Sequence, residues 1–401
     1  MSHSSERSTS FSQNLQITLT PFKNQSRILR ETSSLVERGV TQRVSIAALH
    51  EDGLKEWESI DEQRSVWRVR LRSRGWPRTL PMQLLKYAEF SWRISWYARR
   101  IRPDLVNVHS LALLPLGVWL KIWLRARLVY DTHELETERN GLSGLRQALS
   151  RFIERRFIRY VDLVVVVSEC IREHYVAAYG HPAVVTMLNC PPCSRVSRSD
   201  LLREELQIPA SAKIFLYHGN LAPGRGIPAM LDAFRGANPN ERALVVMGYG
   251  HFAAQVQAEA ERSRAIYFRD AVAPGDVVRY AASADVGLCL IEDICLSYRY
   301  CLPNKLFEFL MAGLPVIVSN LPEMASLVRD YRVGEIAYEV SADGIEDPVR
   351  RLLAADPEGL AANVRQAARR FSWETEEAQI IESYREHVLN PPRPGGMAKA
   401  R

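Results

Sequence analysis

The hexapeptide Pro303-Asn304-Lys305-Leu306-Phe307-Glu308 brings together residue types that hold a phosphate. Pro303 suits the start of a helix, where its missing N–H costs nothing. Asn304 can cap that helix by taking a free amide on its side-chain oxygen. The helix end then offers amides and a positive dipole to an anion, with Lys305 beside them and Glu308 one turn on. A second cradle spans residues 219–226, GNLAPGRG, where glycine turns and Arg225 precede a helix. Backbone amides with a guanidinium fork suit phosphate oxygens. The loop lacks the GxxxxGK[ST] pattern and is not a Walker A loop. Gly248-Tyr249-Gly250 lacks the third glycine and the acidic partner of a dinucleotide fingerprint, which argues against NAD. It reads first as a tight turn bordering the same site.

His109 and the Asp131-Thr132-His133-Glu134 group each follow a strand-like segment. An imidazole there can hydrogen-bond a sugar hydroxyl or polarise a reacting group; a buried structural histidine is the plainer alternative. Asp131, His133 and Glu134 lie so close on an extended segment that their side chains should alternate in direction. No metal site is therefore expected. Cys190 and Cys193 have CxxC spacing without a second pair and sit in a Pro-rich connector, so they read as structural.

Strand-like segments alternate with amphipathic helices, the rhythm of parallel sheets with crossover helices. In the first half the strands read as 15–20, 44–49, 105–109, 127–130 and the apolar 162–168. In the second they read as 213–218, 243–247, 265–268, 286–291 and 316–319. Residues 51–78 are charged and read as irregular. The fold class is α/β, two Rossmann-like doubly wound domains facing across a cleft. Ligands of such sheets bind beyond the carboxyl ends of the strands, where the glycine-rich turns and both histidines fall. The expected order is a leader over 1–13, a first domain over 14–190, a linker over 191–200, a second domain over 201–372, and a tail over 389–401. Residues 373–388, before the tail, read as an acidic helix.

At 401 residues, 47% hydrophobic and 24% charged, the chain has room for two domains and an ordinary globular composition. A net charge of +6 fits nucleic acid, an anionic membrane surface or a phosphorylated ligand. No nucleic-acid motif organises the basic residues, so nucleic acid is not expected. Helices over 82–102 and 145–160 carry arginine and aromatic residues together, which suits peripheral contact with an anionic membrane. The apolar run 111–124 is too short to span a bilayer, and the leader has no apolar signal core. The chain reads as cytoplasmic, at the inner face of a membrane where it meets one.

Taken in order, the segment DLVVVVS at 162–168, Asn189-Cys190-Pro191, the 219–226 loop, Gly248-Tyr249-Gly250, Tyr280 with Ala284-Asp285, and the stretch 303–317 resemble the family 4 retaining glycosyltransferases of the GT-B fold. The likeness spans about 15–388 and is strongest in the second half. It implies transfer of a sugar from a nucleotide-diphosphate sugar to a glycan or lipid-linked acceptor, with retention, in polysaccharide or glycoconjugate synthesis. No metal or other cofactor is implied. The second domain would bind the donor and the first the acceptor, and the helix over 373–388 would cross back to the first domain.

Carried onto this sequence, the resemblance gives catalytic roles to Arg225, Lys305 and His109. It gives nucleotide-sugar contacts to Gly219, Asn220, Gly224, Arg225, Gly248, Tyr249, Tyr300, Pro303, Asn304, Lys305, Leu306 and Glu308. His133 and Glu134 fall on the acceptor side. Glu308 matches the second glutamate of the E-x7-E motif, which holds the ribose hydroxyls. Tyr300 stands where the first belongs, Asn220 where the phosphate loop often has arginine, and Pro21-Phe22-Lys23 where a glycine-rich loop follows the first strand. A nucleotide-sugar 2-epimerase or hydrolase is an alternative that the PxKxxE stretch disfavours. A non-catalytic nucleotide-sugar-binding subunit of a glycan assembly complex is another, favoured by Tyr300 and Asn220.

Overall fold

Short valine- and leucine-rich segments form the strands, and burial on both faces places them in parallel sheets covered by helices. The computed structural model describes residues 10–391 apart from 24, 78 and 195. The expected leader up to residue 9 and the tail beyond 391 lie outside the described residues.

The first sheet contains β1 (Asn14–Ile17), β2 (Val44–Leu49), β3 (Trp57–Ser59), β4 (Arg64–Val69), β5 (Leu105–Val108), β6 (Arg127–Asp131), β7 (Leu163–Val166) and β8 (Val184–Thr186). Its order is β3-β4-β2-β1-β5-β6-β7-β8, parallel except for the β3–β4 pair. Among its helices are α1 (Ser26–Glu37), α2 (Leu80–Ile101), α3 (Leu114–Leu124) and α4 (Gly144–Phe157). The second sheet contains β9 (Lys213–Asn220), β10 (Arg242–Tyr249), β11 (Ile266–Asp270), β12 (Val286–Cys289), β13 (Val316–Ser319) and β14 (Gly334–Ala337). Its order is β11-β10-β9-β12-β13-β14, and every pair is parallel.

The stretch expected to be irregular is so only in part: β3 and β4 lie within 57–69, between turns. Charge concealed them. Arg68 is buried in β4, where its guanidinium donates to the carbonyls of Pro21 and Lys55, each at 2.9 Å, and pairs with Glu58 at 2.7 Å. A buried cation with satisfied donors is tolerated within a sheet.

The helix Trp373–Ser383 and the π-helical turn Tyr384–Leu389 return to the first sheet, packing on Leu35, Val40, Leu105 and Leu163. Trp373 Nε1 donates to Ser34 Oγ at 3.2 Å, and the Tyr384 hydroxyl donates to Glu31 at 2.6 Å. The two halves also touch across the cleft. Ser168 Oγ donates to the Tyr300 carbonyl at 2.6 Å, the Cys170 amide to Glu323, and Ser297 Oγ to Glu134 at 3.4 Å. Cys190 and Cys193 are both free thiols, the first buried and the second exposed. Among the described residues no helix is long and apolar enough to cross a membrane.

Candidate active site

The carboxyl ends of the two sheets border one cleft of about 550 Å³. The helix Asn304–Met311 points its first turn into it. Asn304 is not the cap: Pro303 takes that position in extended backbone, and no side chain caps the helix. The amides of Asn304 and Lys305 thus lie in a first turn that has no intrahelical partners for them. Leu306 departs from expectation. Its amide donates to the Pro303 carbonyl at 3.0 Å and its side chain is fully buried in the core, although the motif placed it at the ligand.

Lys305 and Arg225 both line the cleft. Lys305 Nζ lies 3.6 Å from the centre of the Tyr217 ring, and the Arg225 guanidinium 4.5 Å from that of Tyr298. Burial lowers the Lys305 pKa to about 8, and the Arg225 charge adds to the shift. Gly219, also on the wall, has φ +117°, and a Cβ there would stand 3.7 Å from Lys305 Nζ. Pro303, Asn304 and Asn220 complete this side.

Gly224, Gly248 and Tyr249 do not reach the wall. A Cβ on Gly248 would lie 2.0 Å from the Gly219 carbonyl oxygen, so this glycine lets β10 meet β9 beneath the loop. Tyr249 is exposed elsewhere. Tyr300 is turned away too: its ring packs on the core of the first half, 6.4 Å from His174 between centroids. It joins the two halves and does not border the donor cleft.

Glu308 faces the cleft, half-buried, with its pKa raised by burial against the pull of Lys305 and Arg30. His218 stands beside it, with Nε2 3.5 Å from Glu308 Oε2. Burial, reinforced by Lys305, lowers the His218 pKa to about 3, so its imidazole is neutral. Sequence reasoning missed His218. Its place at the end of β9, before a glycine, is the signal that drew notice to His109 after β5.

On the opposite wall Arg27 forks onto Asp131, Nε to Oδ2 at 3.0 Å and Nη2 to Oδ1 at 2.7 Å. His109 Nδ1 and His133 Nε2 each lie 3.2 Å from Asp131 Oδ2, and 3.3 Å from each other. His109 Nε2 is 2.6 Å from Gln16 Oε1. Glu134 stands outside this group, as alternation along an extended segment implies. Asp131 and His133 are two residues apart and share a face, and His109 arrives from β5; together they form a group able to hold a metal ion. Arg27 already supplies the positive partner, however, and a dication would sit against that guanidinium on the same carboxylate. Burial works against the Asp131 charge, but Arg27 and the two imidazoles outweigh it and hold the carboxyl well below its usual range.

His109 is fully buried, with its pKa lowered by that burial, and it is not among the residues that line the cleft, so it stands behind the wall. On this wall the imidazole that reaches the cleft is His133, 37% exposed, with Glu134 next to it. Arg27 was also missed: it lies in a helix whose sequence shows only an amphipathic pattern.

Two family models match the chain: Glycosyl transferase 4-like domain over residues 25–191, and Glycosyl transferases group 1 over residues 199–371. The phosphatidyl-myo-inositol mannosyltransferase of Mycobacterium leprae (strain TN) is 25% identical over 300 residues, 70% of this chain and 73% of that protein. Sucrose-phosphate synthase from Thermosynechococcus elongatus superposes with a TM-score of 0.75 at 16% identity, over 93% of this chain and 98% of that one. Anabaena Alr3699/HepE in complex with UDP and glucose gives 0.70 at 17% identity, over 93% and 99%. With the two models in tandem over both halves, and the cleft between them, the chain belongs to the family 4 glycosyltransferases, retaining GT-B enzymes that use a nucleotide-sugar donor.

Proposed function

We propose that the second half holds the donor's diphosphate between Arg225, Lys305 and the first-turn amides of the helix Asn304–Met311, and that Glu308 holds the ribose. The observation that carries this reading is the meeting of Arg225 and Lys305 on one cleft wall at an uncapped helix start. As the bond from the anomeric carbon to the diphosphate oxygen breaks, its electron pair stays on the phosphate. These groups stabilise that growing charge as a preorganised set of donors and cations. The acceptor hydroxyl attacks from the face of the leaving group, which retains configuration, and its proton passes to the departing diphosphate. UDP and glucose in the Anabaena neighbour agree with a nucleoside diphosphate and a hexose in such a cleft.

His133 and Glu134 face the donor side from the first half and would meet the acceptor, a glycan or a lipid-linked saccharide. An anionic membrane surface is where a lipid-linked acceptor is encountered; α2 and α3 turn tryptophans outward, α4 turns out Leu145, Leu149 and Phe152, and α2 and α4 carry exposed arginines, which suits such a surface.

The test is release of free nucleoside diphosphate with labelled sugar appearing in a lipid-linked acceptor. Arg225→Ala and Lys305→Ala should each lower turnover by about 10²–10³-fold while the chain stays folded by circular dichroism. Wild-type turnover in the double variant would refute the assignment. Nucleotide binding without turnover in the wild-type chain would favour a non-catalytic subunit.

A further inference from the structure

We propose that His218 is a further donor-binding residue, its Nε2 acting with the Glu308 carboxylate on a vicinal diol of the nucleotide sugar. The inference rests on the reading of Glu308 given above. The His218 side chain is only 6% exposed, yet it borders the cleft. Its Nε2 is a buried polar atom with no hydrogen-bond partner among the described residues. Buried polar atoms are nearly always paired, and an orphan aimed into a cleft is a place for a ligand group. The ring is fixed by edge-on contact with Phe309, 4.7 Å between centroids.

The 3.5 Å between Nε2 and Glu308 Oε2 leaves the two unpaired with each other. With the Glu308 carboxylate turned slightly aside and the imidazole in its Nε2–H tautomer, a hydroxyl oxygen can stand about 2.8 Å from both, accepting from Nε2–H and donating to the carboxylate. The neighbouring hydroxyl of the diol then falls to the other carboxylate oxygen. A neutral imidazole provides this contact without adding a third cation beside Lys305 and Arg225.

Calorimetric titration of uridine and guanosine diphosphates, with their 2′-deoxy and 3′-deoxy forms, tests the proposal on the full chain and on His218→Ala and His218→Gln. The alanine variant should bind the ribonucleotide about tenfold more weakly, while the deoxy form lacking the contacted hydroxyl binds both chains alike. Glutamine, which restores a donor, should recover most of the loss; a packing defect would not be rescued in this way. A loss seen only with the intact nucleotide sugar would still support the hydroxyl contact and assign the diol to the hexose. Unchanged ribonucleotide and nucleotide-sugar affinity in a folded His218→Ala chain, or equal weakening of every analogue, would overturn it. If Glu308→Ala binds the ribonucleotide normally while His218→Ala does not, the reading of Glu308 fails and the contact of His218 stands.

Discussion

Lys305 carries its charge against the preference of its surroundings. Burial pulls its pKa down to about 8, so the folded chain bears a desolvation cost whenever the ammonium is protonated. Lys305→Met should therefore leave the melting temperature unchanged or raise it, while turnover falls by about 10²–10³-fold. The sign of the pH dependence follows. On the role proposed for Lys305 the charged form is the one that holds the diphosphate, so kcat/KM of the wild-type chain should decline as pH rises through about 8. In Lys305→Arg, whose guanidinium does not titrate there, that alkaline limb should vanish. A stopped pH series with both chains decides it. That Lys305, Arg225 and Glu308 would gather at one cleft was legible in the sequence, because their residue types stand beside strand ends and helix starts. The states of the histidines were not. Whether an imidazole ends behind a wall, as His109 does, or on it, as His133 and His218 do, depends on neighbours that are distant in the chain.

Among the elements, the return of the helix Trp373–Ser383 to the first half was implied by the family resemblance, while the residues themselves showed only an acidic helix. What it covers was not readable. The Tyr384 hydroxyl donates to Glu31 at 2.6 Å and accepts from Asn107 Nδ2 at 2.5 Å, so one phenol ties the chain end to α1 and β5. Tyr384→Phe leaves two buried groups without this partner and should cost about 1–3 kcal/mol in urea unfolding. Burial, with Asp131 nearby, raises the Glu31 pKa to about 7. A carboxyl raised in the folded state adds stability fully below its unfolded pKa and loses it as pH rises through the folded value. Wild type should thus lose stability between pH 5 and pH 8, and Glu31→Gln should lose less. β4 shows the opposite limit of legibility. Its arginines look solvent-bound in sequence, and only the carbonyls around Arg68 explain a cation inside a sheet.

For the whole molecule, the βαβ rhythm revealed two sheets, and the strand-end rule revealed that the motifs gather where those sheets face. The outer surface needed the fold itself. Composition showed arginine and tryptophan together in α2, but not that α2 packs beside α3 and α3 beside α4, making one continuous face. On that face Trp92 is 67% exposed, Ile122 62% and Phe152 66%. The Trp119 and Trp123 rings stack at 6.0 Å, and the Arg100 guanidinium lies 4.6 Å from the centre of the Trp96 ring. Aromatic rings beside arginines match the headgroup boundary of an anionic bilayer, where apolar faces sink and cations stay with lipid phosphates. The chain should float with vesicles containing phosphatidylglycerol and remain behind with pure phosphatidylcholine. Added salt should weaken the association by screening. Replacing Trp92, Trp96 and Trp119 by serine should abolish flotation yet leave transfer to a soluble acceptor intact, since none of the three borders the cleft. Failure of the wild-type chain to float with anionic vesicles at low salt would remove the membrane from this account, and the lipid-linked acceptor would lose its main support with it.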